Sequence, residues 1–158
     1  MKKIVLVGKA ASGKDHMRKR LMDSGMNYGV SHTTRKPRQG EVDGKDYYYV
    51  TEEEFLNLVD QGQMVEYQYF AGWYYGMTIA NWKDADVVIL NREALDMLDP
   101  EYRNECIVIY LDIPIEVREQ RMLERNDTQD SHLRRLAADE EQFKDFTNYD
   151  IRITNPDF

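Results

Sequence analysis

A chain of 158 residues, 42% hydrophobic and 32% charged, is long enough for one domain around one core and has the balance of a globular protein. Its net charge of −8 argues against a general binder of nucleic acid or membrane surfaces, and no apolar run approaches the roughly 20 residues that cross a bilayer. A single cysteine, Cys106 in the apolar run CIVIYL, has no partner for an internal disulfide, which fits a buried core position and a reducing cytoplasm.

The N-terminal MKKIVLVGKA has a basic start, but its apolar run is too short for a leader segment and leads straight into a glycine loop, so residues 3–7 read as a strand. The next stretch, GKAASGKD over residues 8–15, follows the phosphate-binding pattern G-x-x-x-x-G-K and departs from it at the last position. A helical pattern over 14–23 completes the strand–loop–helix context that such a loop requires. Gly8 and Gly13 permit backbone angles that aim the N–H groups of the intervening Lys9, Ala10, Ala11 and Ser12 at phosphate oxygens. The helix start adds its positive end, and Lys14 adds a full charge near the β- and γ-phosphates of ATP. A strand-to-helix turn without a ligand is the plainer reading; strand, spacing and lysine together outweigh it. Asp15 stands where Ser or Thr usually holds magnesium. A carboxylate is also a hard oxygen ligand, so Asp15 reads as an altered Mg2+ ligand whose charge is tolerable only with the metal present.

Residues 31–80 change character. TTRKPR over 33–38 is a local basic cluster in an acidic chain, YYYV (47–50) and MVEYQYF (64–70) read as strands, and Thr51 with Glu54 has capping-box spacing for a short helix between them. Beyond this small mixed insertion, the runs DVVIL (86–90), CIVIYL (106–111) and YDIRI (149–153) alternate with helical patterns over 92–99, 114–125 and 131–146. Asp112 and Pro114 open the second of these helices. Unalternated β-branched runs of this kind suit a parallel sheet covered by helices on both faces. The expected architecture is a single α/β domain with a parallel sheet flanked by helices and one inserted subdomain.

The stretches SHTTRKPRQGEVDGKDYYYV and VEYQYFAGWYYG strongly resemble the guanylate kinase signatures S-x-T-T-R-x-P-R-x-G-E-x-x-G-x-D-Y and E-x-x-x-F-x-G-x-Y-Y-G, and the similarity covers nearly the whole chain. The resemblance implies a P-loop kinase core, a small NMP-binding subdomain over about 31–80, a helical lid over about 125–135, and transfer of the γ-phosphate of ATP to GMP with magnesium. It implies that Arg35 and Arg38 grip the acceptor phosphate with forked bonds, that Tyr47 and Tyr75 donate hydroxyls to it, and that Arg125 and Arg135 close over the transferring group. Glu66 would accept from the N1–H and N2 amino group of guanine and face adenine with lone pairs, and Ser31 would contact the O6 edge. Tyr48 and Tyr74 are read as packing residues, Arg121 and Arg134 as solvated helix charges, and His16, His32 and His132 as surface or packing residues.

The chain departs from the family pattern at Asp15; at Met77, which follows YYG where a base-binding Ser is usual; and at Asn91 and Glu93, which stand for an acidic pair of which Glu93 matches a base-contacting Asp. The lid is also about one residue shorter, and the sequence runs only to Phe158, just past its last predicted strand. Met77 suggests a looser base pocket that accepts both GMP and dGMP. Two alternatives stay open: a deoxynucleotide or sugar-phosphate kinase on the same scaffold, and a non-catalytic binding module. An intact phosphate loop with Arg125 and Arg135 favours an enzyme.

Overall fold

The structure, a computed structural model, describes residues 1–125 and 129–158, with the side chains of 129–133 outside that description. In chain order its elements begin with β1 (Lys3–Gly8), α1 (Lys14–Asp23), β2 (His32–Thr33), β3 (Tyr48–Tyr49), α2 (Glu52–Asp60), β4 (Met64–Phe70) and β5 (Trp73–Thr78). They continue with α3 (Ile79–Asp84), β6 (Val87–Ile89), α4 (Arg92–Met97), α5 (Pro100–Asn104), β7 (Cys106–Leu111), α6 (Ile115–Glu124), α7 (Gln129–Gln142) and β8 (Ile151–Ile153).

The four apolar runs form one parallel sheet in the order β6-β1-β7-β8. Val5, Leu6 and Val7 of the central β1 are fully buried, as strands covered on both faces must be. One large core runs from these strands through Trp82, Leu95, Val108 and Tyr110 to Phe143 and Phe146, and Cys106 lies inside it. Tyr110 stacks on Phe143 with ring centroids 5.4 Å apart. The helical pattern over 92–99 forms α4 alone, and a second short helix, α5, follows it from Pro100. Asp99 precedes Pro100 and is extended, with ψ 145, because a residue before proline is pushed out of the helical region.

Residues from the insertion build a second, mixed sheet in the order β3-β2-β5-β4. Its spine is the β4–β5 hairpin, and α2 packs against it with Phe55 fully buried. The Thr51 hydroxyl accepts from the Glu54 N–H and caps α2 as its spacing predicts. Tyr74 packs between Phe55 and Tyr69, whereas Tyr48 is a surface residue stacked on His32, because β3 is an edge strand with its side chain turned outward.

Two glycines let layers approach. At Gly29 an added methyl would lie 2.7 Å from the Ala85 Cβ and 2.8 Å from Val88, so the space belongs to the core behind β6. At Gly76 it would meet the Met64 side chain, the Glu66 carbonyl oxygen at 2.8 Å and the Phe55 ring at 3.0 Å. Gly76→Ala should therefore lower unfolding free energy by roughly 1–3 kcal/mol, the usual cost of overpacking. Urea denaturation checks this, and an unchanged midpoint would count against the close approach.

Candidate active site

A cleft of about 770 Å³ opens between the two sheets, lined by the loop after β1 on one side and by β4, β5 and the segment after β2 on the other. The loop is shaped by three constraints. At Gly8 an added Cβ would stand 2.6 Å from the Ser12 Oγ and 2.8 Å from the Leu111 carbonyl oxygen. Gly13 caps α1 with φ +97, a left-handed angle that disfavours any side chain. Ala11 is also left-handed, at φ 60, and the Arg121 Nη1 donates to its carbonyl oxygen at 2.9 Å. Arg121 is therefore a prop of the loop and part of the cleft wall; the tertiary approach of α6 overturns its reading as a solvated helix charge.

Two acids of α7 hold the same loop. Asp139 accepts from the Ala10 N–H at 2.7 Å. Glu140 accepts from the Lys9 Nζ at 3.0 Å and from Arg118, which is fully buried, at 2.7 Å. Lys9 thus points at α7 and is not on the cleft wall. The Lys14 ammonium turns back to donate to the carbonyl oxygens of Gly8 and Lys9, the latter at 3.1 Å. Burial pushes its pKa down to about 8, against the opposing pull of Asp139 and Asp15.

Asp15 sits in the first turn of α1, exposed and on the cleft wall. Its Oδ1 lies 3.4 Å from the Arg18 Nη2, one helical turn on. The expectation that only a metal offsets its charge does not hold, since Arg18 is a counterion already in place. Among the described residues no group of three or more His, Cys, Asp or Glu side chains could hold a metal ion by itself. A single loop carboxylate beside a phosphate site still fits magnesium, which binds through one or two carboxylates plus substrate phosphates.

On the opposite wall, Arg35 is 7% exposed and forks onto Glu41, with Nη1–Oε1 at 2.8 Å and Nη2–Oε2 at 3.1 Å. Glu41 also accepts from the Arg38 N–H at 2.6 Å. Hydrogen bonding from Arg35 is the main cause that holds the Glu41 carboxyl down to about 2. The Arg35 guanidinium lies over the Tyr47 ring, and Tyr47 meets Tyr75 edge to face at 5.9 Å. Ser31, Arg38, Tyr47 and Tyr75 all line the cleft, and so do Arg125 and Arg135. The expected lid over 125–135 includes residues 126–128, outside the described residues, as is the side chain of His132. His16 packs on Phe158 with its Nε2 3.0 Å from the Phe158 carbonyl oxygen.

Glu66 also lines the cleft, 6% exposed, and its Oε2 has no hydrogen-bond partner among the described residues. Burial pushes its carboxyl up to about 8, only partly relieved by the backbone N–H of Met77. Two expected base contacts are not on the wall. Met77 is fully buried in the main core, its Sδ–Cε end filling the gap that Gly29 leaves. Glu93 is exposed on α4, where the helical turn brings Ala94 to the cleft instead; Asn91 reaches it too, while its side chain caps the helix. Arg121 and Asp139 carry no signature of their own, because their partners lie in a loop remote in sequence; Glu41 is the Glu of the first signature, and the folding of one turn brings it onto Arg35.

A phosphate loop on a parallel α/β core, facing a buried arginine and tyrosine cluster on an inserted sheet, defines a P-loop phosphotransferase with a separate acceptor pocket. A family model described as guanylate kinase matches residues 1–158. The guanylate kinase of Lactococcus lactis is 34% identical, with 96% of this chain and 78% of that one covered; the human guanylate kinase is also 34% identical, with 96% and 84% covered. The crystal structure of guanylate kinase from Anaplasma phagocytophilum aligns with a TM-score of 0.72 at 26% identity, covering 99% of this chain and 78% of that one. The chain belongs to the guanylate kinase family. A kinase of different base preference and a non-catalytic module are not favoured.

The unpaired Glu66 has a measurable consequence. In the free site its carboxyl is mostly protonated at pH 7, whereas the two N–H donors of guanine that the resemblance assigns to it require an ionised carboxylate. GMP affinity should therefore rise about five- to tenfold from pH 7 to 8.5, with close to one proton released on binding at pH 7. Calorimetry in buffers of different ionisation enthalpy reads both quantities, and Glu66→Gln separates them from Lys14. An affinity independent of pH, or identical slopes in both proteins, would contradict this origin.

Proposed function

We propose that this protein transfers the γ-phosphate of ATP to GMP in the cleft between its sheets, with donor phosphates on the Gly8–Asp15 loop and the acceptor on the inserted sheet. The observation that carries the division of labour is the pairing, in one cleft, of a phosphate loop with a buried carboxylate whose Oε2 has no partner among the described residues. Guanine supplies the two adjacent donors that Glu66 needs, and Ser31, which lines the same cleft, would take the O6 edge. Adenine presents an acceptor at N1 and leaves the carboxylate unpaired, which is how a buried polar site rejects an analogue.

Arg35, fixed by Glu41, and Arg38 hold the acceptor phosphate with Tyr47 and Tyr75. One of its oxygens attacks the γ-phosphorus, the bond from γ-phosphorus to the β–γ bridging oxygen breaks, and ADP leaves with the electron pair. Such a reaction needs positioning and charge stabilisation more than covalent help. Lys14 swings from its loop carbonyls to the β- and γ-phosphates, and Arg125 and Arg135 neutralise charge developing on the transferred group. Asp15 would hold the magnesium ion that arrives with ATP, whose role is to neutralise the triphosphate. GMP is the proposed acceptor, with dGMP a weaker second. The compartment proposed is the cytoplasm; among the described residues no helix is long and apolar enough to cross a membrane.

Lys14→Ala should lower kcat by about 10²–10³, the scale of losing one charge-stabilising donor, with an unchanged melting temperature. Glu66→Gln should cost roughly 1.5–3 kcal/mol in kcat/KM for GMP, the scale of one charge-assisted contact. A coupled ADP-release assay measures both. Undiminished turnover of Lys14→Ala would refute the placing of the donor phosphates.

A further inference from the structure

Gln68 also lines the cleft, and its Oε1 is buried without a hydrogen-bond partner among the described residues. It lies two residues beyond Glu66 on β4, so both side chains face the same side of the sheet, about 6.5–7 Å apart along the strand. The register places it further. Glu66 is opposite Met77 and Gln68 is opposite Tyr75, while Thr33 of β2 lies on the other side of Tyr75. The wall is therefore laid out in rows. Glu66 defines one row, Gln68 and Tyr75 define the next, and the segment after Thr33 brings Arg35 beyond them.

A nucleoside monophosphate has the same order: base, sugar, phosphate. With its base on Glu66 and its phosphate at Arg35 and Arg38, its sugar falls on the Gln68 row. What Gln68 offers there is a buried acceptor, and an acceptor needs a donor. The phosphate oxygens are not donors, and the N–H edge of guanine is already taken by Glu66. Of the ligand's remaining donors, the second N2–H belongs to the base on the Glu66 row, and those that fall on the Gln68 row are the sugar hydroxyls.

We infer that Gln68 reads the sugar of the acceptor nucleotide, its Oε1 accepting from a ribose hydroxyl, and so makes the pocket prefer nucleotides that carry that hydroxyl to analogues that lack it. The inference rests on the placing of guanine at Glu66. An analogue without that hydroxyl leaves the Gln68 oxygen buried and unpaired, a defect worth roughly 5- to 100-fold in kcat/KM. The pocket does not reject the smaller sugar by shape; it leaves a polar atom without its partner.

The test compares GMP, 2′-deoxy-GMP and 3′-deoxy-GMP as acceptors for the wild type, Gln68→Ala and Gln68→Met, the last keeping length and removing the amide. The wild type should prefer GMP to at least one deoxy analogue by about 5-fold or more. In both variants that preference should fall to within about twofold, through loss of GMP use with the deoxy rate held, which also reports that the variant is folded. Wild-type ratios near one for both analogues, or ratios that persist in both variants, would overturn the inference. A wild type that uses AMP in place of GMP would overturn the guanine placing alone, and the ratio of AMP to dAMP would still report on Gln68.

Discussion

Taking a carboxylate out of water without a cation beside it costs several kcal/mol unless it binds a proton or finds donors. Glu66 is in that position: almost fully buried, with one oxygen unpaired, it holds a proton near neutral pH until a ligand supplies N–H groups. The acceptor half of the molecule is arranged to maintain this. The β4–β5 hairpin carries Glu66, Gly76 lets the Met64 side chain and the Phe55 ring close over the strand, and Met77 seals the sheet from beneath. A site with an unmet hydrogen-bond demand gains selectivity that an apolar pocket of the same shape lacks.

The donor half is organised by the opposite economy. Its loop has its charges satisfied: Lys14 on two carbonyl oxygens, Lys9 on Glu140, the Ala10 N–H on Asp139 and Asp15 near Arg18. Each of these bonds is local to the loop and α1 or reaches the loop from α7, whose first half falls within the expected lid. The same helix carries Arg135 on the cleft wall, so the loop and this arginine share one rigid support.

The parallel sheet and the phosphate loop were legible because their causes are local: unalternated β-branched runs, glycines at fixed spacing and a lysine at the helix start. The short α5 is not legible in the sequence because five residues opened by Pro100 are too few to show a helical period. Arg121 read as solvent-facing because a helix pattern does not reveal that a loop with a left-handed Ala11 lies against it. Met77 and Glu93 were drawn to the base by their positions after YYG and after β6. Burial decides otherwise, since Gly29 opens core space for Met77 and the pitch of α4 turns Glu93 away. Gln68 carries no signal in the sequence because its meaning depends on register: only its pairing with Tyr75 sets it one row from Glu66 on the cleft wall.

The central claim is that the acceptor is chosen by what it donates to Glu66, and the acceptor spectrum of the wild type tests it most directly. With ATP as donor, kcat/KM should be highest for GMP, and inosine monophosphate, which keeps N1–H and lacks the amino group, should fall below it by about one hydrogen bond, roughly 5- to 20-fold. AMP should be poorer than both by at least a further tenfold, because it leaves the carboxylate facing a lone pair. AMP and GMP used equally well would contradict the account, whatever the rates.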